Sequence, residues 1–552
     1  MSEARSQLPT SGGPTSNGPT SNGTAEARIT AEAARRRTFA VISHPDAGKS
    51  TLTEALALYA EVIDEAGAVH GKSGRRGVTS DWMEMERKRG ISITSAVLQF
   101  AYRDCVINLL DTPGHGDFSE DTYRVLAAVD AAVMLLDAAK GLEPQTLKLF
   151  DVCRTRGIPV LTFVNKWDRP GREALELLDE VEQTIGLRPM PLTWPVGVAG
   201  ELRGLVEVET GEFRRYTRTA GGATRATAEL VPADVIGAEE PQYWEAAQDE
   251  LALLQEIGAA YDEKDFLTGA ATPVLFGAAL NGVGVARLLD ALVELAPAPE
   301  PREDAGGDPR PLEASTSGLV FKVQAGMDRA HRDRMAFVRI CSGRFERGMV
   351  LTHAATGRPF ATKYAQAVFG QQRTTVEEAF PGDIVGLVNA GALRPGDTLY
   401  STDLVEFPSI PSFAPEHFAV VRGADAGTYK QFRRGIEQLD SEGVIQVLTS
   451  DLRGDQAPVL AAVGPLQFEV VTARLESEFR APVTLEHLGY SITRRTDAAG
   501  AQLLSGQSEV EVLTRRADGA LLAVFSNKWR METVRRKFED LVLEPLPAGS
   551  ER

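Results

Sequence analysis

The chain has 552 residues, with 59 Lys and Arg against 77 Asp and Glu for a formal charge of -18; it is too long for one core and too acidic to coat nucleic acid through bulk electrostatics. Its three cysteines, Cys105, Cys153 and Cys341, have neither zinc-site nor disulfide spacing, and no apolar stretch is long enough to span a bilayer. These features predict a cytoplasmic protein in a reducing compartment, with no signal peptide, no membrane and no DNA as partner.

Residues 1–30 are rich in Ser, Thr, Gly, Pro and Asn and repeat GPTSN, a composition that cannot bury a core and predicts a disordered tail. Over residues 31–298, short apolar runs alternate with helix-period segments: Phe39 to Ile42, Val106 to Leu110, Ala131 to Leu136, Val160 to Val164 and Val274 to Phe276. That alternation predicts a doubly wound parallel sheet. Directly after the first run comes Ser43-His44-Pro45-Asp46-Ala47-Gly48-Lys49-Ser50, then a helix-forming stretch from Thr51 to Ala60. Strand, loop and helix in this order form a P-loop: Gly48 lets backbone N–H groups close on phosphate, Lys49 neutralises the β- and γ-phosphates, and the Ser50 hydroxyl can ligate Mg²⁺. The first position is Ser43 rather than Gly, which suffices if its φ stays in an allowed region.

Arg89 to Thr94 (RGISIT) supplies hydroxyls for a switch loop, with Ser92 the expected second Mg²⁺ ligand and Thr94 the alternative. The third strand runs into Asp111-Thr112-Pro113-Gly114-His115. There Asp111 can hold Mg²⁺ through water, Gly114 can hydrogen-bond a γ-phosphate, and His115 can position the attacking water as the catalytic residue. Asn165-Lys166-Trp167-Asp168 ends a later strand, and Asp168 can accept from the two N–H groups on the guanine edge, which adenine lacks. Gly277-Ala278-Ala279, after the next strand, is the expected backbone clamp on the base. Between these two motifs, Arg169 to Thr272 carries strand-like pieces of its own and is expected to be an insertion.

Residues 299–316 are Pro-rich and acidic, which predicts a linker. Residues 317–408 hold short strands punctuated by Ser342-Gly343, Pro381-Gly382-Asp383 and Pro395-Gly396-Asp397, the spacing of a β-barrel. From residue 409 to 552 helix-like segments (Tyr429 to Ser441, Pro465 to Phe479, Arg530 to Asp540) mix with strands, an α+β pattern. The fold class expected is therefore multi-domain α/β: a P-loop GTPase domain with an insertion, then a β-barrel domain, then an α+β domain. Two basic clusters, Arg329, His331, Arg332 and Arg334, and Lys528, Arg530, Arg535, Arg536 and Lys537, are either solvated faces or contacts for RNA phosphates.

HPDAGKS, RGISIT, DTPGHGDFSEDTYR and NKWD together resemble the G motifs of the translational GTPases. FVRICSG (Phe337 to Gly343) and PGDIVGL (Pro381 to Leu387) resemble the second domain those factors share. Ser80 to Glu86, Phe118 to Arg124, Phe321 to Arg334 and Val463 to Val471 resemble the branch of that family that acts in termination, over nearly everything from Arg35 onward. The resemblance implies a ribosome-activated GTPase that uses GTP/GDP and Mg²⁺, meets ribosomal RNA and proteins, and recycles class I release factors after peptide release. It also implies a monomer off the ribosome, with His115 catalytic and Ser92 on the metal. Two positions depart: Ser92 replaces the usual threonine, and Trp167 stands where a smaller apolar residue is common. The α+β third region separates the chain from a sulfate-activating GTPase subunit, whose third domain would be another barrel.

Overall fold

A computed structural model describes residues 21–60, 96–113, 116–217, 226–325, 334–369, 372–410, 412–450, 453 and 457–546. The first unit is built on a seven-stranded sheet in the order Val97–Tyr102, Cys105–Asp111, Arg36–Ser43, Ala131–Asp137, Val160–Asn165, Ala271–Phe276, Arg188–Pro191. Every neighbour pair is parallel except the first two strands, which form a hairpin. Helices cover both faces, so the central strands read as continuous apolar runs. Along Arg36–Ser43, Phe39 and Val41 enter one core and Ala40 and Ile42 the other, all fully buried. The chain reverses direction across the sheet beside this strand, which puts the loops after residues 43 and 111 side by side at the carboxyl ends, where such sheets bind ligands.

Three expectations are corrected by the fold. The residues expected to be tail give way at Ser21 to a helix, Ser21–Ala34, which buries Ile29 and Ala33 and pairs Arg28 with Glu378 at 2.6 Å. Ala- and Glu-rich sequence from residue 24 favours helix, whereas the Gly, Pro and Ser before it do not. The insertion is shorter than expected, because Arg188–Pro191 belongs to the main sheet. Its two prolines disguise it, and it is an edge strand, where a missing N–H is tolerated. What stands apart is a four-stranded antiparallel sheet, Thr193–Val196, Gly204–Glu207, Phe213–Tyr216 and Ala228–Val231, with helices Ala233–Glu239 and Pro241–Glu256. The expected linker contains a small hairpin, Arg302–Glu303 with Pro309–Arg310, that is strapped down at both ends. Arg302 donates to the Ala127 carbonyl and Arg310 to Ser342 Oγ at 2.9 Å.

The second unit is a curled eight-stranded antiparallel sheet around Val320, Val338, Leu351, Leu387 and Leu399. A seven-stranded sheet makes the third, with helices Tyr429–Ser441 and Leu466–Phe479 packed together on Val421, Val447 and Leu460. A last helix, Lys528–Lys537, packs Met531 and Val534 against Phe525.

Two seams join these units to the first. At the seam with the curled sheet, the Arg36 guanidinium meets Asp383 at 3.1 Å and Arg339 meets Asp130 at 2.6 Å, all but Asp130 nearly inaccessible. One apolar cluster runs continuously from Leu110 and Met134 to Phe321, Phe337 and Ile384. At the seam with the third unit, the turn Gly116–Phe118 docks on the start of Leu466–Phe479, and helix Ser119–Leu126 reaches the turn after helix Tyr429–Ser441. Asp117 Oδ2 accepts the Leu466 N–H at 2.7 Å, Arg124 donates to the Gly443 carbonyl at 3.1 Å, and Phe118 packs on Leu466 and Val470.

Candidate nucleotide site

The loop after strand Arg36–Ser43 turns through two left-handed residues, Asp46 (φ 66°) and Gly48 (φ 102°), and Gly48 caps helix Lys49–Tyr59. Ser43 is not left-handed, so a serine serves at the first motif position without strain. Gly48 is required twice over. Its φ suits glycine, and a Cβ there would run into the Asn165 side-chain amide. The helix starts at Lys49, two residues earlier than its Thr51 sequence signal, because the left-handed cap directly precedes it.

Lys49, buried, is ion-paired with Asp111 Oδ1 at the end of strand Cys105–Asp111, while the buried Asp111 Oδ2 has no hydrogen-bond partner among the described residues. A carboxylate oxygen without a described partner, beside a lysine and a helix N-terminus, is what a phosphate-bound divalent cation would complete, so these residues fit Mg²⁺ and phosphate. Thr112 Oγ1 donates to the Val41 carbonyl at 2.6 Å and ties the end of strand Cys105–Asp111 to strand Arg36–Ser43. Pro45, His44 and Ala47 complete the loop, with His44 Nε2 3.2 Å from Glu143 and the Ala47 N–H on the His44 carbonyl at 3.3 Å. Gly114 and His115, and the Arg89–Thr94 segment with Ser92 and Thr94, lie outside the described residues, as do Arg329, His331 and Arg332.

On the base side, Asn165 is a brace. Its Nδ2 donates to the Ala47 carbonyl at 2.8 Å and its Oδ1 accepts the Ala279 N–H at 2.9 Å, which locks the P-loop to the Gly277–Ala279 segment. Lys166, left-handed at φ 65°, reaches over the loop to the Asp46 carbonyl and to Asp137 Oδ2 at 2.7 Å. Burial alone would raise the Asp137 carboxyl, but hydrogen bonds from Lys166 and the Ala139 N–H outweigh it and hold the group below its ordinary value. Asp168 Oδ2 accepts from Asn281 Nδ2 at 3.0 Å, which aims the carboxylate and leaves Oδ1 for a base edge.

Two details differ from the sequence reading. Each amide of the expected base clamp already has an internal acceptor: Gly277 on Val164, Ala278 on Val283 at 3.0 Å, and Ala279 on Asn165. Reading a base through this segment requires one of these hydrogen bonds to be shared. Trp167 points away from the site into the core, 1% exposed, edge-on to Phe276 at 5.0 Å, so its bulk supports the loop from beneath and does not bear on base stacking.

Asp137, Asn281 and Tyr59 were not singled out by sequence reasoning. Tyr59 donates to the Gly282 carbonyl at 2.9 Å and accepts the Ala226 N–H at 2.9 Å, fastening the base loop to the P-loop helix. Asp137 could have been found, since a carboxylate at the carboxyl end of a central parallel strand faces the ligand crevice.

Comparison with known proteins agrees with this geometry. The elongation factor Tu GTP binding domain family matches residues 34–298, elongation factor G domain 2 matches 315–402, and the class II release factor RF3 C-terminal domain matches 407–535. A crystal structure of a Thermus thermophilus protein, 22% identical, shares the fold at a TM-score of 0.66 over 87% of this chain and 73% of that one. Peptide chain release factor 3 of Microcystis aeruginosa is 46% identical over 94% of this chain and 97% of its own. That of Gloeobacter violaceus is 50% identical over 84% of this chain and 88% of its own. With a GTP-binding domain, an elongation factor G second domain and a release-factor third domain in one continuous match, the chain belongs to the peptide chain release factor 3 family, the GTPases of translation termination.

Proposed function

We propose that the chain hydrolyses GTP when stimulated by the ribosome and uses that cycle to dissociate and recycle class I release factors after peptide release. The observation that carries the reading is the two-ended anchoring of the segment around His115. Before it, Asp111 and Thr112 are held in the nucleotide site; after it, Asp117 holds the first amide of a third-domain helix. A change at the γ-phosphate therefore has a short covalent path to the third domain.

In this reading Lys49 exchanges Asp111 for the β- and γ-phosphate oxygens, and the amides from Asp46 to Ser50 surround them. Ser50 and Asp111, with Ser92, would hold Mg²⁺, which when bound neutralises charge developing on the phosphates. Gly114 donates to the γ-phosphate, and His115 orients the attacking water. Asp168, aimed by Asn281, accepts from guanine and leaves an unpaired carboxylate against adenine, which rejects ATP. No helix among the described residues is long and apolar enough to cross a membrane. We place the protein in the cytoplasm, as a monomer when off the ribosome.

The test measures GTP and ATP hydrolysis by wild type and His115→Ala, with and without ribosomes. Stimulation by ribosomes in wild type only, with ATP inert, supports the reading. A wild type indifferent to ribosomes rejects it.

A further inference from the structure

The helix Lys528–Lys537 (KWRMETVRRK) carries five basic residues and one acidic residue, in a chain whose net charge is -18. Met531 and Val534 anchor it inward, so the opposite face is left to solvent. Trp529 and Arg536, seven residues apart, lie opposite that anchor, while Lys528 and Arg535, three residues before and four after Met531, flank it, and all four are exposed. Trp529 is 73% exposed, a large indole with nothing covering it. Arg530 is spent on Ser508, donating to its carbonyl at 2.9 Å, and Lys537 on Gln507 at 3.2 Å. No described carboxylate pairs with Lys528, Arg535 or Arg536.

Helix electrostatics account for part of this only. Cations in the last turn stabilise a helix dipole, which covers Arg535 to Lys537, but Lys528 opens the first turn, where a cation is unfavourable. Nor does the dipole explain an exposed indole. Unpaired guanidiniums and an ammonium around a bare aromatic face are the two components of a surface that holds single-stranded nucleic acid: charge for phosphates, a ring for base stacking.

We propose that this face docks RNA, with Lys528, Arg535 and Arg536 on phosphates and Trp529 stacked on an unpaired base. The chain as a whole is acidic, so the patch also orients the molecule on RNA. Only the identity of that RNA as ribosomal rests on the function proposed above.

The test uses the full chain and a fluorescent RNA hairpin with a uridine-rich loop, followed by anisotropy over a KCl series. A blunt duplex of the same stem and polyglutamate serve as comparison probes. Trp529→Ala should weaken the hairpin by roughly tenfold and leave the duplex unchanged. Arg535→Glu with Arg536→Glu should weaken both and flatten the salt dependence by about two phosphate contacts. GTP binding and unfolding temperature should stay at wild-type values, since the altered side chains are exposed. Unchanged hairpin binding in both variants overturns the proposal. Tighter binding of polyglutamate than of RNA, lost in the arginine variant, also overturns it and makes the face a dock for an acidic protein. Ribosome stimulation without hairpin binding removes the surface and keeps the GTPase reading; the converse removes that reading and keeps the surface.

Discussion

The two seams around the GTP-binding unit are built on different physics. The seam with the curled sheet buries two ion pairs, Arg36 with Asp383 and Arg339 with Asp130, inside a continuous apolar cluster. Gly382 is pressed there so closely that a Cβ would strike Arg36 and Pro299. The seam with the third unit is smaller and more polar, made by residues shortly after strand Cys105–Asp111: Asp117 on a helix N-terminus, Arg124 on one carbonyl, and Phe118 in a three-residue apolar contact. A buried charge stripped of its partner is costly, whereas a cap and a single carbonyl contact exchange readily with water. The first seam is therefore the costlier to open, and the second the readier to exchange its contacts with water.

The largest effect is expected at Asp383→Ala, which leaves the buried Arg36 with Glu32 as its sole ion-pair partner among the described residues and strips the acceptor from the Phe380 N–H. It should destabilise the joint unfolding of the first two units by about 3–5 kcal/mol, read as a shift in denaturant midpoint. A loss below about 1 kcal/mol would put the two seams in the same class.

Asp117→Ala should cost about 1 kcal/mol, the value of a helix-terminal acceptor. Its signature is local: faster amide exchange over residues 464–470, with strand Arg334–Ser342 unaffected. Equal acceleration at both places would show that the seams are not independent.

Asn281→Ala touches neither seam and frees Asp168. GDP and GTP should bind about fivefold more weakly by calorimetry, the worth of one net hydrogen bond, and both seams should exchange as in wild type.

The smallest effect concerns pH. Asp137 has its folded-state value below the ordinary 3.8, so its contribution is present above that value and is lost as pH falls through the lower, folded-state one. Asp137→Asn should cost a few tenths of a kcal/mol at neutral pH, since Lys166 is partly exposed, and the gap from wild type should close below about pH 4.

The central strands were legible because burial on both faces demands uninterrupted apolar residues, as at Phe39 to Ile42. Arg188–Pro191 was not, since an edge strand has no such demand and its prolines read as a break. The P-loop was legible from Gly48-Lys49-Ser50 because its geometry is a local property of a strand, a left-handed glycine and a helix. Asn281 was hidden, for nothing near it in sequence records that Asp168 needs a donor 113 residues away. The helix at Ser21–Ala34 was masked by the low-complexity residues before it, which dominate any window drawn across residues 1–30.

By itself the sequence determined the nucleotide motifs, the order of the three units and the secondary structure of their cores, all of which depend on spacing among neighbours. The tertiary structure decided which side chains are partners across the seams. Arg36 and Asp383 lie 347 residues apart, and Asp117 and Leu466 are 349 apart. No periodicity reaches that far; such pairs are selected only once packing has excluded water from around them and given a lone charge or amide a cost that its partner removes.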